Sequence, residues 1–197
     1  MNPCFPELTF PVQPSWAAGS ALVRSEAAHA VDAIDPVAAE RVLSAVGTAS
    51  RVFVFGQGRS GIALQALAMR LMHLGLRVHV VGEATTPAIQ AGDVLLTASG
   101  SGTTPSVLAA AQAALESGAT VAAITAAPHS PLASLTPAVL VIPAATKRDR
   151  SGDASAQYAG SLFEQALWLT GDALFHVLWQ RSGRTAEELW PRHSNLE

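Results

Sequence analysis

Five short β-branched runs in the middle of the chain constrain its fold more than any other feature: Arg51–Phe55, Arg77–Val81, Asp93–Thr97, Thr120–Thr125 and Ala138–Ile142. Each is almost continuously apolar, as strands covered on both faces are, and none alternates apolar with polar as a half-exposed strand would. Ala/Leu-rich stretches of helical composition lie between them at Gly61–Leu74, Pro105–Ser117 and, briefly, near Leu132. Strands separated by helices join in parallel through right-handed crossovers. The expected fold is therefore α/β, a doubly wound sheet of five parallel strands, with Gly75 and Gly118 as helix C-caps.

The flanks read as helical. Trp16–Val31 and Pro36–Val46 form an N-terminal helical arm (1–48), the second helix opening on Asp35 with Pro36 in its first turn. The core sheet covers 49–145. A polar, Gly-containing loop at Lys147–Ala154 follows. The C-terminal helices occupy 155–197: a long one at Leu162–Arg181 and a short one opened by the capping box Thr185-x-x-Glu188. The whole is expected to be a single domain of 197 residues.

Composition excludes several classes. Net charge is −3 with 14% charged residues, too few clustered cations for a nucleic-acid binder. Apolar residues make up 49%, enough for a sizeable core and for an apolar surface that a second subunit would cover. Cys4 is the single cysteine, so no internal disulfide forms and a reducing, cytoplasmic setting is expected. Met1–Val12 holds three prolines and no basic residue, unlike a signal peptide. Leu162–Trp179 is interrupted by Glu164, Asp172 and His176, unlike a membrane span.

Ligands of such sheets sit at the carboxyl ends of the strands, near the point where strand order reverses. Two loops there invite an anion. Gly56-Gln57-Gly58-Arg59-Ser60-Gly61 follows the first strand and matches the G-x-G-x-x-G dinucleotide fingerprint, with Glu83 near the end of strand two where a ribose-binding acid would stand. Ser99-Gly100-Ser101-Gly102-Thr103-Thr104 follows the third strand, with Thr104 as N-cap and Pro105 opening a helix. It combines four hydroxyls with two glycines at a helix N-terminus, which suits a phosphate monoester.

The Ser99–Thr104 run resembles the phosphate loop of SIS (sugar isomerase) domains, a flavodoxin-like family. Gly58-Arg59-Ser60-Gly61, Arg70–Gly75, Val81–Ile89, Ser161–Gln165 and the ending Arg192–Glu197 are similar in particular to the 6-phospho-3-hexuloisomerases within it. Thr103, Gln57 and Tyr158-Ala159 depart from that pattern. The resemblance implies interconversion of D-arabino-hex-3-ulose 6-phosphate and fructose 6-phosphate through a 2,3-enediol(ate), without metal or other cofactor. It also implies a homo-oligomer, dimer or tetramer, and a place in the ribulose monophosphate route.

Within that reading Glu164 is the first choice for the base, although Ser161-x-x-Glu164 also spells a capping box. His73 is either a proton carrier or a helix C-terminal residue meeting the dipole. Lying far from its own glycine loop, it would serve a neighbour's site. His193, beside Arg192, is either a frayed tail residue or a second contribution to that site. Gly58, Arg59, Ser60, Ser99, Gly100, Ser101, Gly102, Thr103 and Thr104 are the candidate phosphate and substrate contacts. Arg59 is alternatively a solvated helix-start residue. Glu83 either touches sugar hydroxyls or caps Thr85-Thr86-Pro87. The remaining histidines show no metal-ligand spacing.

Overall fold

The computed structural model describes residues 15–145 and 154–196. The readings of Met1–Val12, of Cys4, of residues 147–153 and of Glu197 lie outside the described residues. Two capped helices come first. In α1 (Trp16–Asp32) the Ser15 side chain accepts from the Ala18 N–H, and in α2 (Pro36–Thr48) the Asp35 carboxylate accepts from the Val37 N–H.

Five parallel strands follow: β1 (Val52–Gly56), β2 (Val78–Val80), β3 (Val94–Ala98), β4 (Thr120–Thr125) and β5 (Val139–Val141), in the order β2-β1-β3-β4-β5. This is the flavodoxin-like order, with its switch point between β1 and β3. Connecting and following elements are α3 (Gly58–His73), α4 (Pro105–Glu116), a 3-10 turn (Ala133–Leu135), α5 (Ser161–Ser182) and α6 (Ala186–Leu189).

The strands are apolar throughout because successive side chains enter two different cores. Val52, Val54, Val94, Leu96, Ile124 and Leu140 pack with α2, α3 and α5. Phe53, Leu95, Val121 and Ala123 pack against α4 on the other face. Outside α5 lies α1, which buries only Ala27 and Ala30. At the amino-terminal edge of the sheet Arg51 pairs with the buried Asp93 through two nitrogens, Nε at 3.0 Å and Nη2 at 2.5 Å. That guanidinium holds the Asp93 carboxyl below the ordinary aspartate value. Among the described residues no helix is long and apolar enough to cross a membrane.

One difference from the expected boundaries concerns the site. The third helix starts at Gly58, not at Gly61. Gly58 takes a left-handed φ of 59°, so the chain turns into the helix directly after β1. Gly61 then falls in the first turn, pressed on Gly56, and a Cβ there would lie inside contact distance of the Gly56 carbonyl oxygen. Backbone cannot rotate aside. Gly61→Ala is therefore expected to push the start of α3 off β1 and to cost about 1–3 kcal/mol. Gly19→Ala is the control: its Cβ would meet nothing within 4 Å, and a helical Gly→Ala change there is neutral to stabilising. Thermal unfolding of the two variants checks this, and equal melting temperatures would remove the close approach as a constraint.

Candidate functional site

The loops after β1 and β3 flank the switch point and open on the same side of the sheet. Between them and the start of α5 lies a cavity of about 570 Å³, well within the size range of small-ligand sites. Gln57, Gly58 and Ser60 line it from the N-cap and first turn of α3, Ser99–Ser101, Thr103 and Thr104 from the β3–α4 loop, Pro105 from the start of α4, and Gly160 and Phe163 from the N-cap and first turn of α5, with Ala98 and Ala145. Three helix N-termini thus meet at one cavity. Each presents unpaired N–H groups and roughly half a positive charge. Neither α3 nor α4 carries an acidic residue in its first turn to offset that charge.

The β3–α4 loop is built by its own backbone. The Gly102 N–H donates to the Ser99 carbonyl, and the Leu132 N–H donates to the Gly102 carbonyl. Gly102 sits at a φ of 62° directly on Ser130, where any Cβ would collide with the Ser130 side chain. It shapes the loop from beneath and does not line the cavity. Gly100 packs on the ring of Phe163, which would stand 3.2 Å from a Cβ there.

The four hydroxyls form two pairs, Ser99 Oγ with Thr104 Oγ1 and Ser101 Oγ with Thr103 Oγ1, each at 2.9 Å. Each pair uses one hydroxyl hydrogen internally and leaves the other to donate. Thr104 is the N-cap by position, but its side chain makes no capping bond. It turns to Ser99, so the first N–H groups of α4 have no side-chain cap.

Glu164 is buried, and the capping box that is the rival reading of Ser161-x-x-Glu164 does not form. The helix already includes Ser161, with Gly160 as N-cap and no side-chain capping bond, which puts Glu164 one position too deep to reach back. Its Oε2 lies 3.1 Å from Arg59 Nε. Arg59 is therefore neither a cavity-lining residue nor merely solvated. It ties the first turn of α3 to the first turn of α5, and its side chain keeps 59% exposure, enough for a further anionic partner. Glu83 is exposed on the turn after β2, away from the cavity lining, and closes that turn with its backbone, donating to Val80 O and accepting from the Thr86 N–H.

His73 and His193 come together at the far end of α3, about 22 Å from Gly58 at 1.5 Å per residue. Their rings stack with centroids 4.0 Å apart, His73 buried and His193 leaning on Trp190. The tail is folded, not frayed, through residue 193. Arg184 Nη1 donates to Leu74 O at 2.7 Å and Arg192 Nη1 to Glu188 O at 3.1 Å. Among the described residues no cluster of three or more His, Cys, Asp or Glu forms a metal site.

A model of the SIS domain matches residues 47–160, and the chain belongs to the SIS domain family. It is 53% identical to the 3-hexulose-6-phosphate isomerase of Mycobacterium gastri, over 89% of this chain and 88% of that one. With the Bacillus subtilis 3-hexulose-6-phosphate isomerase the identity is 36% over 81% of this chain and 86% of the other. A Methanococcus jannaschii structure, from which a molecular function of 3-hexulose-6-phosphate isomerase was inferred, superposes with a TM-score of 0.79 at 26% identity, covering 91% of this chain and 99% of that chain.

Sequence reasoning missed Ser130, whose support of Gly102 is visible only in space. It also missed Phe163 as a wall, since an apolar residue in a helical run gives no sign of facing a cavity. One expectation follows for His73. Burial, then the charges of His193 and Arg70, lower its pKa below the ordinary histidine value. With the folded pKa depressed, its contribution to stability is present above the ordinary value near 6.5 and is lost as pH falls through the folded value. NMR titration should therefore show His73 protonating below that ordinary value, and His193→Ala should shift its titration upward. A His73 that titrates normally would contradict its burial.

Proposed function

We propose that the chain interconverts D-arabino-hex-3-ulose 6-phosphate and fructose 6-phosphate at this cavity. The observation that carries the reading is the convergence of three helix N-termini and the paired hydroxyls of Ser99, Ser101, Thr103 and Thr104 on one cavity, whose wall includes Phe163, the residue before the buried Glu164. The long match to relatives named for this activity supports it. The phosphate takes hydrogen bonds from the hydroxyl loop, from Ser60 and from the backbone around Gly58 and Gly100. Arg59 adds a nearby positive charge.

Glu164 acts as the base. From fructose 6-phosphate it removes the C3 proton, leaving a 2,3-enediol(ate). Returning that proton to C2, while the hydroxyl proton moves from O3 to O2, gives the 3-ketose. A positioned base of this kind contributes about 10²–10⁴-fold. Every step runs on side chains, without metal.

His73 and His193 complete the site from a neighbouring subunit and carry the hydroxyl protons, since the length of α3 separates them from their own cavity. The outer faces of α3 and α5 support such an assembly. α3 exposes Ile62, Met69 and Met72, and α5, which packs against it, exposes Trp168 and Leu169, apolar surface that a dimer or tetramer would cover. The setting is the cytoplasm and the route that of ribulose monophosphate.

In deuterium oxide with a chelator and fructose 6-phosphate, label is expected at C3 together with a 3-ketose. Label at C1 would instead indicate an aldose–ketose isomerase, and no label a binding module. Glu164→Gln is expected to lower kcat by at least about 10²-fold with KM little changed, and Ser99→Ala with Ser101→Ala to raise KM. Normal turnover in Glu164→Gln would remove the base assignment.

A further inference from the structure

The start of α5 has no cap of its own, yet it must place both Phe163 and Glu164. What holds it comes from the opposite end of the sequence. Glu26, on α1, reaches the segment just ahead of α5 with both carboxylate oxygens. Oε2 accepts from Ser155 Oγ at 2.7 Å and from Gln157 Nε2 at 3.0 Å, and Oε1 accepts from the Ala156 N–H at 2.9 Å. Ser155 Oγ in turn accepts from the Gln157 N–H at 3.0 Å. The network then enters the helix: Gln165 Nε2 donates to Gln157 Oε1 at 2.8 Å. Gln165 is the residue next to Glu164.

The chain between this clamp and α5 is under tension. Ala159 has a φ of 49°, the one non-glycine residue with positive φ among the described residues. An L side chain disfavours that conformation and keeps it only where its surroundings impose it. Ala159 lies between the Glu26 clamp at residues 155–157 and the first residue of α5, in a turn closed by the Ser161 N–H on the Tyr158 carbonyl at 3.2 Å. Burial pushes the Glu26 carboxyl up, but hydrogen bonds from Ser155, Ala156 and Gln157 outweigh it and hold the group below the ordinary glutamate value. At neutral pH the clamp is therefore an anion accepting from neutral donors, the stronger kind of hydrogen bond.

We infer that Glu26 is a positioning residue for Glu164: by clamping residues 155–157 it sets where α5 begins and so where the Glu164 carboxylate stands. This rests on the reading of Glu164 as the base. The α1 arm, which lies before the matched residues 47–160, thereby acquires a part in turnover without touching substrate.

Glu26→Gln puts an amide donor where donors already converge. Hydrogen exchange of amides 160–164 should accelerate, kcat should fall about 10-fold, and KM should stay within about twofold. Ser155→Ala deletes the hydroxyl that donates to Glu26 and accepts from the Gln157 N–H but leaves α1 and the other two Glu26 contacts intact, so it should move exchange and kcat the same way by less, even if Glu26→Gln folds poorly. Unchanged exchange at 160–164 in both variants would overturn the inference, as would a loss of kcat matched by an equal rise in KM. Faster exchange with unaltered kcat would also overturn the role in turnover. Glu164→Gln alone decides whether Glu164 is the base, so the two failures are distinguishable.

Discussion

The close approach of Gly61 to Gly56 is the constraint on which the site depends. Two backbones meet there with no Cβ between them, and Gly58 supplies the left-handed turn that makes the meeting possible. Ser60 and Arg59 are carried into place by that contact. Because α3 is a rigid rod, the same contact fixes His73 at its other end. A bulkier residue would tilt the rod and displace the cavity wall and the histidine pair together.

On the proposed reading, a chain with few cations has to hold a dianionic phosphate ester. Backbone dipoles substitute for lysines. The starts of α3, α4 and α5 aim at one cavity, and the hydroxyls of the β3–α4 loop satisfy one another in pairs while keeping protons to donate. Such donors carry no net charge and need no counter-ion when the site is empty. Among the described residues Arg59 is tied to Glu164, so this cation and the carboxylate hold the first turns of α3 and α5 to each other.

The strands and the two glycine loops were legible because strand burial and helix capping leave local signatures. The apolar runs at Arg51–Phe55 and Asp93–Thr97 read as covered strands because they are short, β-branched and separated by helical stretches, and Pro105 after Thr104 marks a helix start. The capping box at Ser161–Glu164 was legible too, and misleading. The motif depends on where the helix begins, and tertiary contacts moved that start back by one residue. Thr104 shows the same limit: a good N-cap residue whose hydroxyl found a better partner in Ser99, five residues away. Glu83 matched a spacing rule but faces solvent, because β2 is short and the chain turns away after Val80.

From the sequence alone came the doubly wound sheet, the positions of the phosphate-type loops and the pairing of glycines with hydroxyls at helix starts. These follow from periodicity and local backbone chemistry, which act over a few residues. Only the tertiary structure decided that Arg59 meets Glu164, that His73 stacks on His193 far from the cavity, and that Glu26 grips the chain ahead of α5. Those partners are separated by more than a hundred residues, and no local rule reaches that far. They meet because a switch point in the sheet and the packing of α1 and α3 on α5 fold distant segments onto one another.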